Sequence, residues 1–569
     1  MDKHAIAMVL DEIGTLLDLH GENAFKARAF QAAARAIERT EEDIVQLARD
    51  GGLESIAGIG PATARVIREL VDTGTAKFYL DLRARTPNGF YELLAVPKLG
   101  AKRIRILHEK LGIESVADLE RAARAGKIAQ LPGFGGRTQE ILLQGIGYVR
   151  TTLGRRRLAE ALDVAPRLRG FVQALPGVVD AEIAGELRRR METVDGIDIV
   201  AAVNAAAREQ TLDLFTQLPG TMEAGRTAED RAYAGLSDGF QLRLRCVEPS
   251  AYALALLEET GSSEHVAALR AYAQQHGKKL DGLQVQDEEA LYEALDLQFV
   301  PAELRETGAE VGIAAQHDLP ALVELEDLRG CFHCHTVYSD GRHTVAEMAM
   351  AARQRKWRYL GIADHSKNAG YAGGLSREQI FRQQEEIDAW NSEHGSKLWL
   401  FKGIEADILS DGRLDYEDEP DVLESFDFVI GSVHSSFNLP PDTMTARLIR
   451  AMQHPALTFL GHATGRLLLS RAGYRIDVDA VMAAAVERGV GIEINADPHR
   501  LDLDWRYWRR GKELGVRTAI NPDAHSTRSL GVVEYGVCMA RKGWLEKSDV
   551  VNTWTLPTVR KFLRQRKQR

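Results

Sequence analysis

Residues 330–365 read GCFHCHTVYSDGRHTVAEMAMAARQRKWRYLGIADH: a short apolar run ending in histidines, a helical stretch, and a second short apolar run ending in Asp-His. The rhythm repeats through LWLFKGIEAD (398–407), FDFVIGSVH (426–434), LTFLGHA (457–463), VGIEINA (490–496) and RTAINPDAH (517–525). Short apolar strands alternating with helices predict a parallel α/β barrel over residues 328–569. Counting GCFHCH (330–335) and YLGIADH (359–365), it has seven strands. Six of the seven close on a His, Asp or Glu, or stop one residue after it. All strand C-termini of a parallel barrel open on one face, where active sites are built.

That face should therefore collect His333, His335, Asp340, His365, Glu405, His434, His462, Asp523 and His525. Imidazole nitrogens and carboxylate oxygens are ligands for divalent metals such as Mn2+ or Zn2+. Residues two apart on a strand share a face, so the His-x-His at 333/335 and the Asp-x-His at 523/525 can each present both side chains together. Nine ligands exceed one tetrahedral ion, and two or three ions sharing a carboxylate fit better. Ions about 3.5–4 Å apart suit phosphoester hydrolysis. A lone histidine is ordinarily a core or surface residue. Here six of the chain's sixteen fall at strand ends, in phase with three acids.

Upstream, residues 1–150 read as short helices punctuated by glycine. IAGIGPATARVIREL (56–70), VPKLGAKRIRILHEKLGI (96–113) and LPGFGGRTQEILLQGI (131–146) share a glycine-bearing turn followed by an amphipathic helix. Each looks like a helix-hairpin-helix. Glycine lets such a turn approach a phosphate, and the N–H groups opening the second helix point at it. The candidate DNA contacts are Gly58, Gly60, Lys98, Gly100, Lys102, Gly133 and Gly135. These divide into a helical domain (1–85) and a second helix-hairpin-helix region (86–150). Residues 151–318 mix helices with strand-like runs such as GIDIVAAV and FQLRLRCV, an α+β pattern. Residues 302–328 turn acidic and loop-like, as a linker would.

The 569-residue chain is 45% hydrophobic and 27% charged, enough for three or four ordinary domains. A net charge of −10 argues against uniform nucleic-acid coating but not against local basic patches, and the candidates are Lys98, Lys102, Arg103, Arg105 and Lys110, then Arg155–Arg157, Arg188–Arg190 and the tail RKFLRQRKQR. Four cysteines make no disulfide framework, and no membrane span or secretory leader is expected. A cytoplasmic, nucleoid-associated monomer is the expectation.

FHCHTVYSDG, IADH, GIEAD, GSVHSS, GHATGRLL and NPDAHS resemble the motifs of the polymerase-and-histidinol-phosphatase (PHP) domain. The resemblance implies a distorted (β/α)7 barrel, a trinuclear metal site and phosphoesterase activity. It makes Glu405 the bridging carboxylate and groups His333, His335, Glu405 and Asp523 around one ion. EINADPHRLDLDW resembles the version found in bacterial family X DNA polymerases, where Arg500 would contact a phosphate. Cys331 departs from that pattern, which usually has Asp there. With Cys334 it forms a C-x2-C, not read as a separate zinc site.

The order of domains also resembles family X: helical DNA-binding segments, a nucleotidyltransferase-like palm and thumb, then the barrel. AGELRRRMETVDGIDIVAAV (184–203) matches the family's signature strand. The family uses three aspartates there, two of them as Asp-x-Asp. This chain has Gly196-Ile197-Asp198, and Arg243 stands where the third belongs. Asp195, three residues before Asp198, should face the opposite side of the strand. Glu186 replaces a serine beside the triphosphate, Glu258-Glu259 replace an aromatic pair, and Val266 replaces an asparagine. Arg189 remains at a matching position. The expectation is a degenerate polymerase site that holds no Mg2+. The lyase lysine that relatives can carry reads Val66, with Lys77 nearby.

The function expected is metal-dependent 3′–5′ exonuclease or 3′-end processing on gapped or 3′-recessed DNA. The alternatives are an active gap-filling polymerase with a proofreading barrel, a small-molecule phosphatase of the histidinol-phosphatase type, and a repair scaffold.

Overall fold

The computed structural model describes residues 3–40, 44–236, 239–283 and 285–568. The chain divides into two compact units, residues 1–153 and 154–569.

The first unit is helical throughout and has two apolar cores. One joins Lys3–Leu19, Ala24–Arg39 and Pro61–Thr73. The other joins Ala101–Leu111, Val116–Arg124 and Gly136–Thr152. The three glycine turns are built alike. An apolar residue at the centre of each is buried (Ile59, Leu99, Phe134), while Gly58, Gly60, Lys98, Gly100, Lys102, Gly133 and Gly135 are exposed. Gly60, Gly100 and Gly135 are the N-caps of the helices that follow. Gly133 needs its glycine, because its φ is 84°. Val66 lies in the core, and Lys77 pairs with Asp81 at 2.6 Å.

The second unit begins with a five-stranded sheet of β1 (Val178–Ile183), β2 (Ile197–Val203), β3 (Thr221–Ala228), β4 (Arg231–Leu236) and β5 (Gln241–Val247). Its spatial order is β1-β2-β5-β4-β3, with β2 and β5 parallel. Helices Tyr252–Thr260, Ser263–Gln275 and Glu288–Ala294 follow around a separate core. Residues 302–328 are not a free linker. Arg305 is fully buried against Glu288, Val311 and Ala314 belong to the helical core, and Val323 N–H bonds Leu545 C=O at 3.0 Å. Four of the acids that looked like linker pair with cations far along the chain: Glu303 and Glu324 with Arg541, Glu306 with Lys542 and Asp327 with Lys547.

Seven parallel strands then form the barrel in sequence order: β6 (Gly330–Cys331), β7 (Tyr359–Ile362), β8 (Trp399–Asp407), β9 (Phe428–Ser432), β10 (Leu457–Leu460), β11 (Gly491–Asn495) and β12 (Thr518–Asn521). They read as near-continuous apolar runs because helices cover the outside and side chains fill the inside. Phe332, Tyr359, Phe401, Phe428 and Phe459 pack together in that interior. Gly403 makes room for them, since a Cβ there would lie 2.1 Å from the Phe428 ring. The barrel is nearly closed. Cys334 and Ala524 bridge its first and last strands, and Asn552 bonds Gly330 C=O at 2.9 Å and Ile520 C=O at 2.8 Å across the same seam.

The strands are shorter than the apolar runs suggested. His333, His335, Asp523 and His525 lie past the ends of β6 and β12, in segments zipped together by His335 N–H on Ala524 C=O (2.8 Å) and Ala524 N–H on His333 C=O (3.1 Å). Cys331 and Cys334 are buried, with their sulfurs 3.5 Å apart.

Candidate metal centre

All nine barrel residues converge, and Glu405 is their hub. It stands on β8 and is 1% exposed. Around its carboxylate lie His365 Nδ1 at 2.8 Å, His462 Nε2 at 3.1 Å, His333 Nε2 and His434 Nε2 at 3.4 Å, and His335 Nε2 at 3.8 Å. Asp523 continues the cluster, 3.2 Å from His335 and 3.5 Å from His333. Asp340 completes the outer rim, 3.2 Å from His525 and 3.6 Å from His365. Three sets have ligand atoms within 4.8 Å of one another: His335, Asp340, His365 and His525; His333, His335 and Glu405; and His365, Glu405 and His434.

These groups are buried without being satisfied. His333 Nε2, His335 Nδ1, His365 Nδ1, His462 Nδ1 and Glu405 Oε2 make no hydrogen bond. Leaving such atoms unpaired in a protein interior costs roughly 1–3 kcal/mol each. Imidazole nitrogens and carboxylate oxygens gathered within 4.8 Å of one another are what a divalent ion takes up, so the residues fit one.

The two central carboxylates are kept ionised by the imidazoles around them. Burial opposes charge on Glu405, yet His434, His333 and His365 hold its carboxyl well below the usual range. Burial likewise opposes charge on Asp523, and His333, His335 and His525 outweigh it. His335 behaves oppositely: burial, His525 and His365 push it down to about 3, so it is a neutral donor.

A second layer escaped the sequence reading. Glu493 takes His333 Nδ1 at 2.7 Å, and Asp407 takes His434 Nδ1 at 2.7 Å. Such partners fix which ring nitrogen faces the metal. Asn521 and Asn495 bond Glu493 at 2.9 and 3.0 Å, and Asn495 also reaches Asp523 at 3.1 Å. Asp364 is fully buried and ties down the loop before Asp340 through Thr336 N–H and Oγ1, both at 2.7 Å. The signal was present: these residues sit in the same runs, GIEIN, IEAD and IADH. Arg500 lies at the rim, with Nε 3.7 Å from Asp523 Oδ2.

The sheet that precedes the barrel carries a second cluster. Asp195 does not face away from Asp198. It precedes β2, in the turn, and both carboxylates meet Arg243: Asp195 at 2.6 Å, Asp198 at 2.5 Å. Gly196 is backed by Gln241 C=O, 2.6 Å from where a Cβ would sit. The other charge changes are also paired within the protein. Glu186 takes Arg155 at 2.6 Å, and Glu259 takes Arg245 at 2.9 Å and Arg231 at 2.5 Å. Glu258 is held by Arg245 and Arg270. Arg189 is buried, donating to Thr260 C=O at 2.8 Å and Glu306 at 3.1 Å. Of the basic clusters read from the sequence, Arg155 and Arg188 are thus internal ion-pair partners, Arg188 pairing with Glu288.

Comparison with known proteins agrees with this geometry. Family models match a helix-hairpin-helix domain over residues 1–76, a SAM-like helix-hairpin-helix tandem over 90–144, a DNA polymerase beta thumb over 255–306 and a PHP domain over 332–497. The chain is 34% identical over 580 residues to the DNA polymerase/3′-5′ exonuclease PolX of Bacillus subtilis (strain 168), covering 99% of this chain and 100% of that protein. It is 26% identical over 249 residues to a probable phosphatase of Thermoanaerobacter sp. (strain X514), covering 42% of this chain and 95% of that one. A probable phosphatase of Vibrio parahaemolyticus is 27% identical over 243 residues, covering 41% and 90%.

Proposed function

Because the chain belongs to the family of bacterial PolX DNA polymerase/3′-5′ exonucleases, we propose that its barrel trims 3′ ends of DNA by metal-dependent phosphoester hydrolysis. The single observation that carries this reading is the crowding of five imidazoles around the buried carboxylate of Glu405. His333, His335, Glu405 and Asp523 would hold one metal ion, and Asp340, His365, His434, His462 and His525 would supply the further ligands for a site of two or three ions, Mn2+ or Zn2+. Bound ions would supply Lewis acidity and charge neutralisation at phosphorus. The chain's own groups do the rest. Glu493 and Asp407 orient His333 and His434. Arg500 binds a phosphate oxygen of the scissile unit from the rim. The exposed turns at Gly58/Gly60, Lys98/Gly100/Lys102 and Gly133/Gly135 hold the DNA backbone of a gapped or 3′-recessed duplex without reading its sequence.

The palm, in this reading, does not add nucleotides. Arg243 pairs with Asp198, the one aspartate that remains of the three, and with Asp195, and a cation in that position repels Mg2+. The protein works as a monomer in the cytoplasm, at the nucleoid. Among the described residues no helix is long and apolar enough to cross a membrane.

One incubation tests both halves: full-length protein, a labelled gapped duplex, Mn2+ and all four deoxynucleotides. Shortening of the labelled strand is expected. Extension past the primer end refutes the palm reading and favours an active gap-filling polymerase. The likeness to probable phosphatases supports a second reading, a small phosphomonoesterase. Turnover of a small phosphoester with no cleavage of DNA favours that one.

A further inference from the structure

We infer that Glu192, a palm residue, is a positioning residue for Arg500 at the metal centre. The inference rests on the reading of the barrel as the nuclease. Glu192 lies outside the barrel, just before the Thr193–Val194 strand, and is 9% exposed. Its carboxylate accepts Trp505 Nε1 at 2.8 Å and Arg506 Nη1 at 2.7 Å. Both belong to the barrel loop that leaves β11.

From Arg506 the bonds run back towards the centre. The same Arg506 Nη1 donates to Asp504 Oδ1 at 2.9 Å, and Asp504 Oδ2 accepts Arg466 Nη1 at 2.7 Å. Arg466 Nε then grips Arg500 C=O at 2.9 Å, and its far nitrogen bonds Leu501 C=O. Asp502 in turn accepts the N–H groups of Thr464 (3.0 Å) and Arg466 (3.3 Å). The backbone that carries Arg500 is thus clamped from outside by one guanidinium, and that guanidinium is anchored by Asp504. Glu192 and Asp504 share Arg506, so loss of the palm carboxylate frees Arg506, which is 47% exposed in its side chain, to take Asp504 towards solvent.

The palm and thumb hold the same loop in a second place. The Lys542 ammonium is buried on Arg189 C=O (2.9 Å) and Glu306 (2.6 Å), and lies 4.3 Å from the centre of the Trp505 ring. Trp505 is therefore gripped at its N–H by Glu192 and across its face by Lys542. This gives the palm a task that needs no nucleotide addition: it sets the guanidinium that faces Asp523.

A charge-removing change should act through Arg500 and nowhere else. In full-length protein, Glu192→Ala and Glu192→Gln should lower kcat for 3′-end cleavage about tenfold, with KM and melting temperature near wild type, since misplacing a substrate-contacting group is felt mainly in kcat. Arg500→Ala should lower it similarly, and the double variant should be no slower than Arg500→Ala alone. Arg541→Ala, which removes a thumb–barrel ion pair to Glu303 outside the relay, should leave kcat unchanged. Additive losses in the double variant overturn the inference. Hydrogen exchange of the metal-free proteins decides the relay without any activity. The amides of Arg500 and Leu501, both bonded to Asp497 C=O, should exchange faster in both Glu192 variants and not in Arg541→Ala. Unchanged exchange overturns the relay even if the enzyme cuts DNA. Faster exchange in a protein that cuts no DNA upholds it and discards the nuclease reading instead.

Discussion

Asp198 and Arg243 are register partners on the parallel strands β2 and β5, and their carboxylate and guanidinium meet at 2.5 Å. The two parallel strands thus set an acid and a cation side by side. Asp195 joins them, because the turn before β2 brings its carboxylate onto the same guanidinium.

Replacing Arg243 should reopen the cluster. The pair is partly exposed, with Arg243 at 43% and Asp198 at 19%, so the ion pair itself contributes little. Arg243→Asp should cost about 1 kcal/mol, mostly from placing three carboxylates together. It should also create sensitivity to Mg2+, seen as a larger Mg2+-induced rise in melting temperature than wild type shows. The barrel is common to both proteins and cancels in that difference. An equal rise in the two would mean that Arg243 does not control access to the site.

His333→Ala and Asp523→Ala should abolish cleavage of a 3′-labelled duplex while leaving the protein folded. Both contact the Glu405 cluster, His333 at 3.4 Å from Glu405 and Asp523 at 3.5 Å from His333. The loss should exceed the roughly 10–100-fold typical of a residue that only orients a ligand. Full activity of either variant at matched metal would place the chemistry elsewhere.

Glu493→Gln should fall in that intermediate range. Its carboxylate holds the Nδ1 of His333 at 2.7 Å and is itself steadied by Asn521 and Asn495. An amide of the same shape keeps a hydrogen bond but loses the charge that makes the imidazole a better donor. Metal affinity should drop about 10–100-fold, measured by chelator competition, with little change in fold. Wild-type affinity would show that Glu493 only fills space.

The barrel was legible because strands buried on both faces must be apolar along their whole length, and ligands at their ends then stand out against that background. Glu405 and His434 are examples: polar endings on IEAD and SVH, with no surface for them to occupy. Less visible was where each strand stops. Two-residue alternation puts Asp195 on the far side only if the strand already runs there, and it begins at Ile197. Glu493 carries no local signal, because it lies inside its apolar run and its partner, His333, is 160 positions away. A like separation hides the burial of residues 302–328: Glu303 and Glu306 read as linker acids, and their partners Arg541 and Lys542 are more than 200 positions away. Charge pairing over long sequence distances leaves no local pattern.

Metal uptake at neutral pH should expel protons. In the metal-free protein burial opposes a charged His434, but Glu405 and Asp407 raise it to about 10. Burial also opposes a charged His525, and Asp340 and Asp523 raise it to about 9. Both values lie above 7, so both rings are imidazolium there, and an imidazolium cannot ligate. Binding of Mn2+ at pH 7 should therefore release protons, seen by calorimetry as a heat that varies with the buffer's ionisation enthalpy, and apparent affinity should climb as pH rises towards 9. Folding stability runs the other way without metal. These raised values favour the folded state below the ordinary histidine pKa of about 6.5, and that contribution fades as pH rises through about 9 to 10. Metal thus replaces protons as the counter-charge of Glu405 and Asp523, and its stabilising effect should be largest in alkaline buffer. A buffer-independent heat at pH 7, or a melting temperature of metal-free protein that holds steady from pH 7 to pH 10, would show that the carboxylates are not held by imidazolium in this way.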